Sequence, residues 1–278
     1  MTHSAGRGTV LLDIDQRGVA YVTLNRPEVN NAYNGDMLSG LHEVLDLLAT
    51  ERGLRVVVLR GNGRHFQAGA DLSWIRSIGT EDPQANLEAS RITADAVRRL
   101  DLAPMPTVAL IQGGCFGGGV GVAAACDIVV AAEDAVFAIT ETRWGLMPGI
   151  IIPQLCRAMG VRQVRRYAQS GERFSAAQAV ALGLAHECCA PAELQSVGER
   201  IVDALLMNAP TSTAATKART LQYAQAAMSD AYFDELVQEH AHFRQQSEAQ
   251  EGTAAFLQKR KPAWYSTPDQ YTEQSLNR

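Results

Sequence analysis

Several features are missing from this 278-residue chain, and each absence narrows what it can be. No apolar run reaches the roughly 20 residues needed to cross a bilayer. The opening residues, MTHSAGRGTV, contain no apolar signal core, so the expected compartment is the cytoplasm. The five cysteines (Cys115, Cys126, Cys156, Cys188 and Cys189) form no pair of CxxC motifs and show no metal-ligand spacing. Reduced, buried thiols and no metal site are expected. A basic excess is also missing: the net charge is −5, which gives no global footprint for nucleic acid. There is no internal repeat and no long low-complexity run. What remains is an ordinary globular composition, 46% hydrophobic and 20% charged, with ample material for a core.

The pattern along the chain alternates strands with helices. VLLDIDQRGVAYVTLNRP (10–27) reads as a hairpin turning at Gly18, closed by Pro27. From Asp36, the residues Met37, Leu41, Val44, Leu45 and Leu48 follow helical spacing. RVVVLRG (55–61) predicts a short buried strand that ends in the loop NGRHFQAGADLSWI, with a mostly helical stretch from about 84 to 102 after it. MPTVALIQGG and DIVVAAEDAVFAIT supply further strands, so a partly parallel sheet with crossover connections is expected. After Pro153 the β signal fades. SAAQAVALGLA and the segments 192–207, 211–228 and 231–248 read as helices, with a joint at Ala209–Pro210 and a loose terminus after KRK (259–261).

The segment GGCFGGGVGVAAACD (113–127) raises the chemical question. It lacks the spacing and the later acid of a dinucleotide fingerprint, and Val-Gly stands where a P-loop needs Gly-Lys-Ser/Thr. Close packing of helix on sheet is one reading of such bare backbone. The other is a helix start whose free N–H groups stabilise developing negative charge. FQAGADL (66–72) is a second small-residue turn after a strand, and two such turns can supply two converging donors. Glu141 in FAITETRWGLMPG sits among apolar neighbours, which raise a carboxyl pKa and suit it to proton transfer.

LNRPEVNNA (24–32), FQAGADLSWI (66–75), the run 113–149, GERFSAAQAVALGLAHE (171–187) and EGTAAFLQKRKPAW (251–264) stand in the order of one family. Over residues 9 to about 265 the chain resembles the crotonase superfamily, the enoyl-CoA hydratase/isomerase proteins. The resemblance implies an α/β fold of the ClpP/crotonase type, a spiral of ββα units with an α-helical C-terminal region. Residues 1–208 would form the acyl-CoA-binding core, and 209–278 a helical region for oligomerisation and CoA contact, as a trimer or a dimer of trimers. No cofactor is implied, since CoA is part of the substrate.

By the same resemblance, the N–H groups of Ala70 and Gly118 hold the thioester oxygen, and Glu141 is the acid/base. Ala68, Gly69, Asp71 and Leu72 flank the first donor at CoA-binding positions. Arg26, Glu28 and Val29 lie where the family's first loop meets CoA. Phe256 and Lys259 match C-terminal positions that touch CoA, often from a neighbouring subunit. Asp71 and Asp127 also read as structural. Trp74 and Trp144 read equally as bordering the acyl pocket or as core, Arg76 and Arg143 read first as surface or CoA-phosphate pairing and second as partners for a distal carboxylate, and His65 reads as a surface or packing residue.

One position departs from the familiar hydratases. The first of their two glutamates is replaced here by Gly121. Hydration by Glu141 alone is expected, closest to the methylglutaconyl-CoA and isohexenylglutaconyl-CoA hydratase-like branch, with a Δ-isomerase as the alternative. Gly121 is expected to leave room beside the reacting carbons for a branched or doubly acidic acyl group. A serine-protease relative is disfavoured, because no Ser adjoins the glycine loop.

Overall fold

The computed structural model of the chain describes residues 2–80, 82–223, 237–238, 240, 242–243 and 246–265. Its main sheet has seven strands, and the first three form an antiparallel meander. These are β1 (Thr2–Ala5), β2 (Val10–Ile14) and β3 (Val19–Leu24). The sheet then continues in parallel through β4 (Val56–Gly61), β5 (Thr107–Ile111), β7 (Ile128–Ala132) and the edge strand β10 (Glu187–Cys189). A smaller sheet joins β6 (Gly114–Phe116), β8 (Val136–Ala138) and β9 (Phe174–Ser175).

The apolar run of β4 is explained by burial on both faces. Val57 and Leu59 pack with Val44 and Leu48 of α1 (Gly35–Thr50). Val56 and Val58 pack on the other face against Ile201, Val202 and Leu206 of α8 (Leu194–Leu206). Helix α1 starts where the Asn34 side chain accepts from the Met37 N–H at 3.1 Å. The segment read as a loop up to Ile75 turns helical at α2 (Leu72–Gly79), because Asp71 caps it by accepting from the Ser73 N–H. Helix α3 (Pro83–Asp101) follows, with Asp82 as cap and Pro83 at its first position.

The glycine segment divides between strand β6 and helix α4 (Gly118–Ala125). Helices α5 (Ile152–Met159), α6 (Val161–Ser170), α7 (Ala176–Ala181), α9 (Pro210–Tyr223) and α10 (Ser247–Leu257) complete the elements used below. Of the helices expected at 211–228 and 231–248, residues 224–236 lie outside the described residues, as does the terminus from 266.

Asp127 ties three elements together. Its carboxylate accepts from the Thr107 N–H (2.8 Å) and Oγ1 (2.9 Å), and from Lys217 Nζ of α9 (2.7 Å). Lys217 is 8% exposed at its side chain, so losing its partner strands a buried charge. Asp127→Asn is expected to lower stability by about 2–3 kcal/mol. The urea midpoint would read this, with an unchanged slope as the sign that compactness is retained.

Candidate active site

One cavity of about 580 Å³ opens between α2, α3 and the start of α4, and runs inward toward α1 and the main sheet. Its walls are mostly apolar, and Glu141 is the only carboxylate among the described residues that line it. Glu141 begins a 3-10 turn (Glu141–Trp144) just after β8. The turn is anchored by Leu146 N–H on the Glu141 carbonyl (3.0 Å) and by Thr142 Oγ1 on the Ala168 carbonyl of α6 (3.0 Å). Oε2 of Glu141 is buried and has no hydrogen-bond partner. Burial pushes its carboxyl above the usual carboxylate range, and the N–H groups of Glu141 and Thr140 pull it only part of the way back.

Bare backbone lies against this carboxylate. Gly117, at φ 52 and ψ −123, donates its N–H to the Ala138 carbonyl at 2.8 Å. A Cβ on Gly117 would stand 3.2 Å from Glu141 Oε1, in addition to the strain of positive φ. Gly118 then opens α4, and its N–H has no partner among the described residues, as expected for a first helical residue.

The second loop is held in an extended pairing. Tyr33 N–H donates to the Gly69 carbonyl and Asp71 N–H to the Tyr33 carbonyl, both at 2.8 Å. The Ala70 N–H between them faces away from that pairing and is also unpartnered among the described residues. Ala70 and Gly118 both line the cavity. Two free N–H donors and one carboxylate of raised pKa around a mostly apolar chamber suit one chemistry: a carbonyl oxygen takes up charge while a proton moves nearby.

The other expected residues divide. Ala68, Gly69 and Leu72 line the cavity, as do Trp74, Trp144 and Arg143. Arg26, Val29, Asp71, Arg76, Phe256 and Lys259 do not. The Arg26 guanidinium reaches Asp71 at 3.3 Å and donates to the Ala32 carbonyl, so this pair braces the loop that carries Ala70. Asp71 is held below the usual carboxylate range by the Ser73 and Trp74 N–H groups and by Arg26, which outweigh burial. Val29 and Glu28 sit in an exposed turn. Phe256 is 83% exposed at the end of α10, beside Lys259. His65 is a packing residue: its Nδ1 accepts from the Gly114 N–H at 2.7 Å.

Among the cavity residues not singled out from sequence are Tyr33 and Arg173. Tyr33 follows a loop motif whose backbone drew all the attention, and nothing in NNAYN says which way the ring points. The expected room at Gly121 is absent. A Cβ there would come within 2.2 Å of Ile151 Cγ2, so the buried Ile151 side chain already occupies that space. The partner responsible lies thirty residues later and shows no local sequence signal.

A mixed α/β core with paired glycine-rich turns around a single carboxylate defines a crotonase-type fold. The chain belongs to the enoyl-CoA hydratase/isomerase family, whose model matches residues 15–267. It is 32% identical over 252 residues to a putative enoyl-CoA hydratase of Thermus thermophilus, covering 91% of this chain and 99% of that one. It is 33% identical to the 2,3-dehydroadipyl-CoA hydratase of Escherichia coli, covering 89% and 95%. Among solved structures, AtuE of Pseudomonas aeruginosa superposes with a TM-score of 0.87 at 36% identity, covering 93% of this chain and all of that one, 100%.

The raised carboxyl of Glu141 has a measurable sign. A folded-state pKa above the unfolded value means the native protein binds more protons within that window, so stability falls as pH rises through it. Wild type is expected to lose thermal midpoint relative to Glu141→Gln as pH rises above the ordinary carboxylate range of about 4. A difference that stays constant with pH would show an unperturbed carboxyl.

Gly121→Glu tests the packing. It is expected to destabilise the fold by about 1–3 kcal/mol or more, through the clash with Ile151. Thermal denaturation of Gly121→Glu and of Gly121→Glu combined with Ile151→Ala checks this, because the second change is expected to recover part of the loss.

Proposed function

We propose that the protein hydrates an α,β-unsaturated acyl-CoA. The observation that carries this reading is the buried Glu141 Oε2, without a hydrogen-bond partner among the described residues, in the same cavity as the free N–H groups of Ala70 and Gly118. The thioester oxygen accepts from both N–H groups. Glu141 takes a proton from water as the water oxygen bonds to Cβ. The double-bond electrons move toward the thioester, forming an enolate whose charge rests between the two donors. Glu141 then returns the proton to Cα, and the sum is addition of one water. The family and its hydratase relatives support this chemistry.

For the acyl group we propose a branched or doubly acidic chain of the glutaconyl type. Space at Gly121 no longer supports it. The support is instead two arginines, Arg143 and Arg173, which line the cavity without a carboxylate partner among the described residues. The Arg173 guanidinium lies 5.7 Å from the Phe116 ring centroid, at the glycine loop. Either can pair with a distal carboxylate. The named substrate of the dehydroadipyl-CoA hydratase relative is also a diacid thioester. We further propose that Phe256 and Lys259 reach the CoA of a neighbouring subunit in a cytoplasmic trimer or dimer of trimers, since an exposed Phe256 and Leu257 suit an interface.

Δ-Isomerisation is the second reading, favoured by the single carboxylate in the cavity. A panel of crotonyl-, 3-methylglutaconyl-, isohexenylglutaconyl- and 3-enoyl-CoA, followed for water addition and double-bond migration, decides between them. Hydration is expected on the 2-enoyl substrates, fastest on the diacids. Migration without hydration would replace the hydratase reading. Glu141→Gln is expected to cut turnover by about 10²-fold or more while retaining thioester binding. Arg143→Ala with Arg173→Ala is expected to raise KM for the diacids and spare crotonyl-CoA; equal losses on both would remove the distal-carboxylate role.

A further inference from the structure

Tyr33 touches every part of the site. Its backbone clamps Gly69 and Asp71, on either side of the Ala70 donor. Its ring stands edge-on to Trp74 at 5.7 Å and presses on the other donor's residue: a Cβ on Gly118 would lie 2.8 Å from Tyr33 Cε1 and 3.5 Å from its hydroxyl oxygen. The hydroxyl makes no hydrogen bond to any described residue, although the side chain is part of the cavity wall. Tyr33 is half-buried and its oxygen is not sealed from solvent, so a molecule in the cavity can reach it. Its natural partner is therefore something that enters the cavity.

The chemistry lacks one group. A water that attacks carbon needs a base for its proton and a second contact to fix its orientation. Glu141 supplies the base. Gly121 supplies nothing, and Ile151 covers it. Tyr33 is positioned for the second contact. Its hydroxyl borders Gly118, while Glu141 borders the adjacent Gly117. Burial, with a smaller push from the Glu141 charge, raises the phenol pKa to about 12. The phenol thus stays protonated and hydrogen-bonding throughout the range where Glu141 works.

We propose that the Tyr33 hydroxyl is a catalytic residue that holds the nucleophilic water against Glu141, in place of a second carboxylate. This rests on the hydration reading above. Tyr33 neither gains nor loses a proton over the cycle: the water proton goes to Glu141 and on to Cα, and the water oxygen goes to Cβ. The thioester oxygen has its two N–H donors already and does not call on the phenol.

The role separates water addition from enolate formation. Tyr33→Phe keeps the ring on Gly118 and removes only the oxygen. With the 2-enoyl-CoA best hydrated by wild type, Tyr33→Phe is expected to lower kcat for hydration about tenfold or more, with KM within about twofold. The same variant, given the saturated acyl-CoA of the same chain in deuterated water, is expected to exchange its Cα proton within about twofold of wild type, since that step needs only Glu141 and the two N–H donors. An unchanged hydration rate would overturn the proposal. So would equal losses of hydration and exchange, which would place the hydroxyl on the thioester oxygen. An unchanged thermal midpoint for Tyr33→Phe separates these outcomes from misfolding; a variant that unfolds would make Tyr33 a packing residue and also overturn the proposal. If wild type hydrates nothing in the panel, the hydratase reading itself fails, a result distinct from a wild type that hydrates and a Tyr33→Phe that does so equally well.

Discussion

Everything at the site depends on one unfavourable arrangement: a carboxylate oxygen held in an apolar chamber with no partner. An isolated buried charge is expensive, and the protein answers by raising the carboxyl pKa. The rest of the fold must prevent the two easy escapes, in which the side chain swings into water or the chamber collapses on it. The turn after β8 blocks the first, pinned by Leu146 and by Thr142 on α6. The surrounding core blocks the second, because Phe137 and Ile139 near the turn are fully buried. The stability lost at one residue is thus secured by packing at many others.

Bare backbone at the start of α4 follows from the same demand. Successive glycines there meet different neighbours: Glu141 at Gly117, Tyr33 at Gly118, Gln67 at Gly119 and Ile151 at Gly121. A helix hemmed in on every side has no polar face to display, which is why VGVAAA shows no helical periodicity. The opening alternatives for this segment, tight packing or exposed N–H donors, are therefore not exclusive. Gly119 and Gly121 serve packing, while Gly118 leaves an N–H free at the cavity.

Elements governed by local chemistry were readable from sequence. The hairpin at Gly18, the spacing of Met37, Val44 and Leu48, the buried run of β4 and the apolar setting of Glu141 each carry their signal within a few residues. What escaped depends on distant partners. Strand β10 is three residues long and exists because β7 offers an open edge. The filling of Gly121 depends on Ile151, and the aim of the Tyr33 ring on Trp74 and Gly118. Arg26 and Asp71 show the same limit. Their pairing spans forty-five positions, so no local signal named the partner, although Asp71 also read as structural from sequence.

A single carboxylate also constrains the stereochemistry. Glu141 is the only carboxylate lining the cavity, so in the hydration reading the group that takes the water proton is the group that returns it to Cα. In the same reading, Ala70 and Gly118 hold the thioester oxygen and stop the acyl group from turning over between the two steps. Oxygen and proton must then arrive on the same face of the double bond. Addition from opposite faces would need a second acid across the cavity, and among the described lining residues no other carboxylate and no histidine is present. Tyr33, held protonated, is too weak an acid to fill that role. If the hydration reading holds, the geometry that makes one base sufficient also requires syn addition.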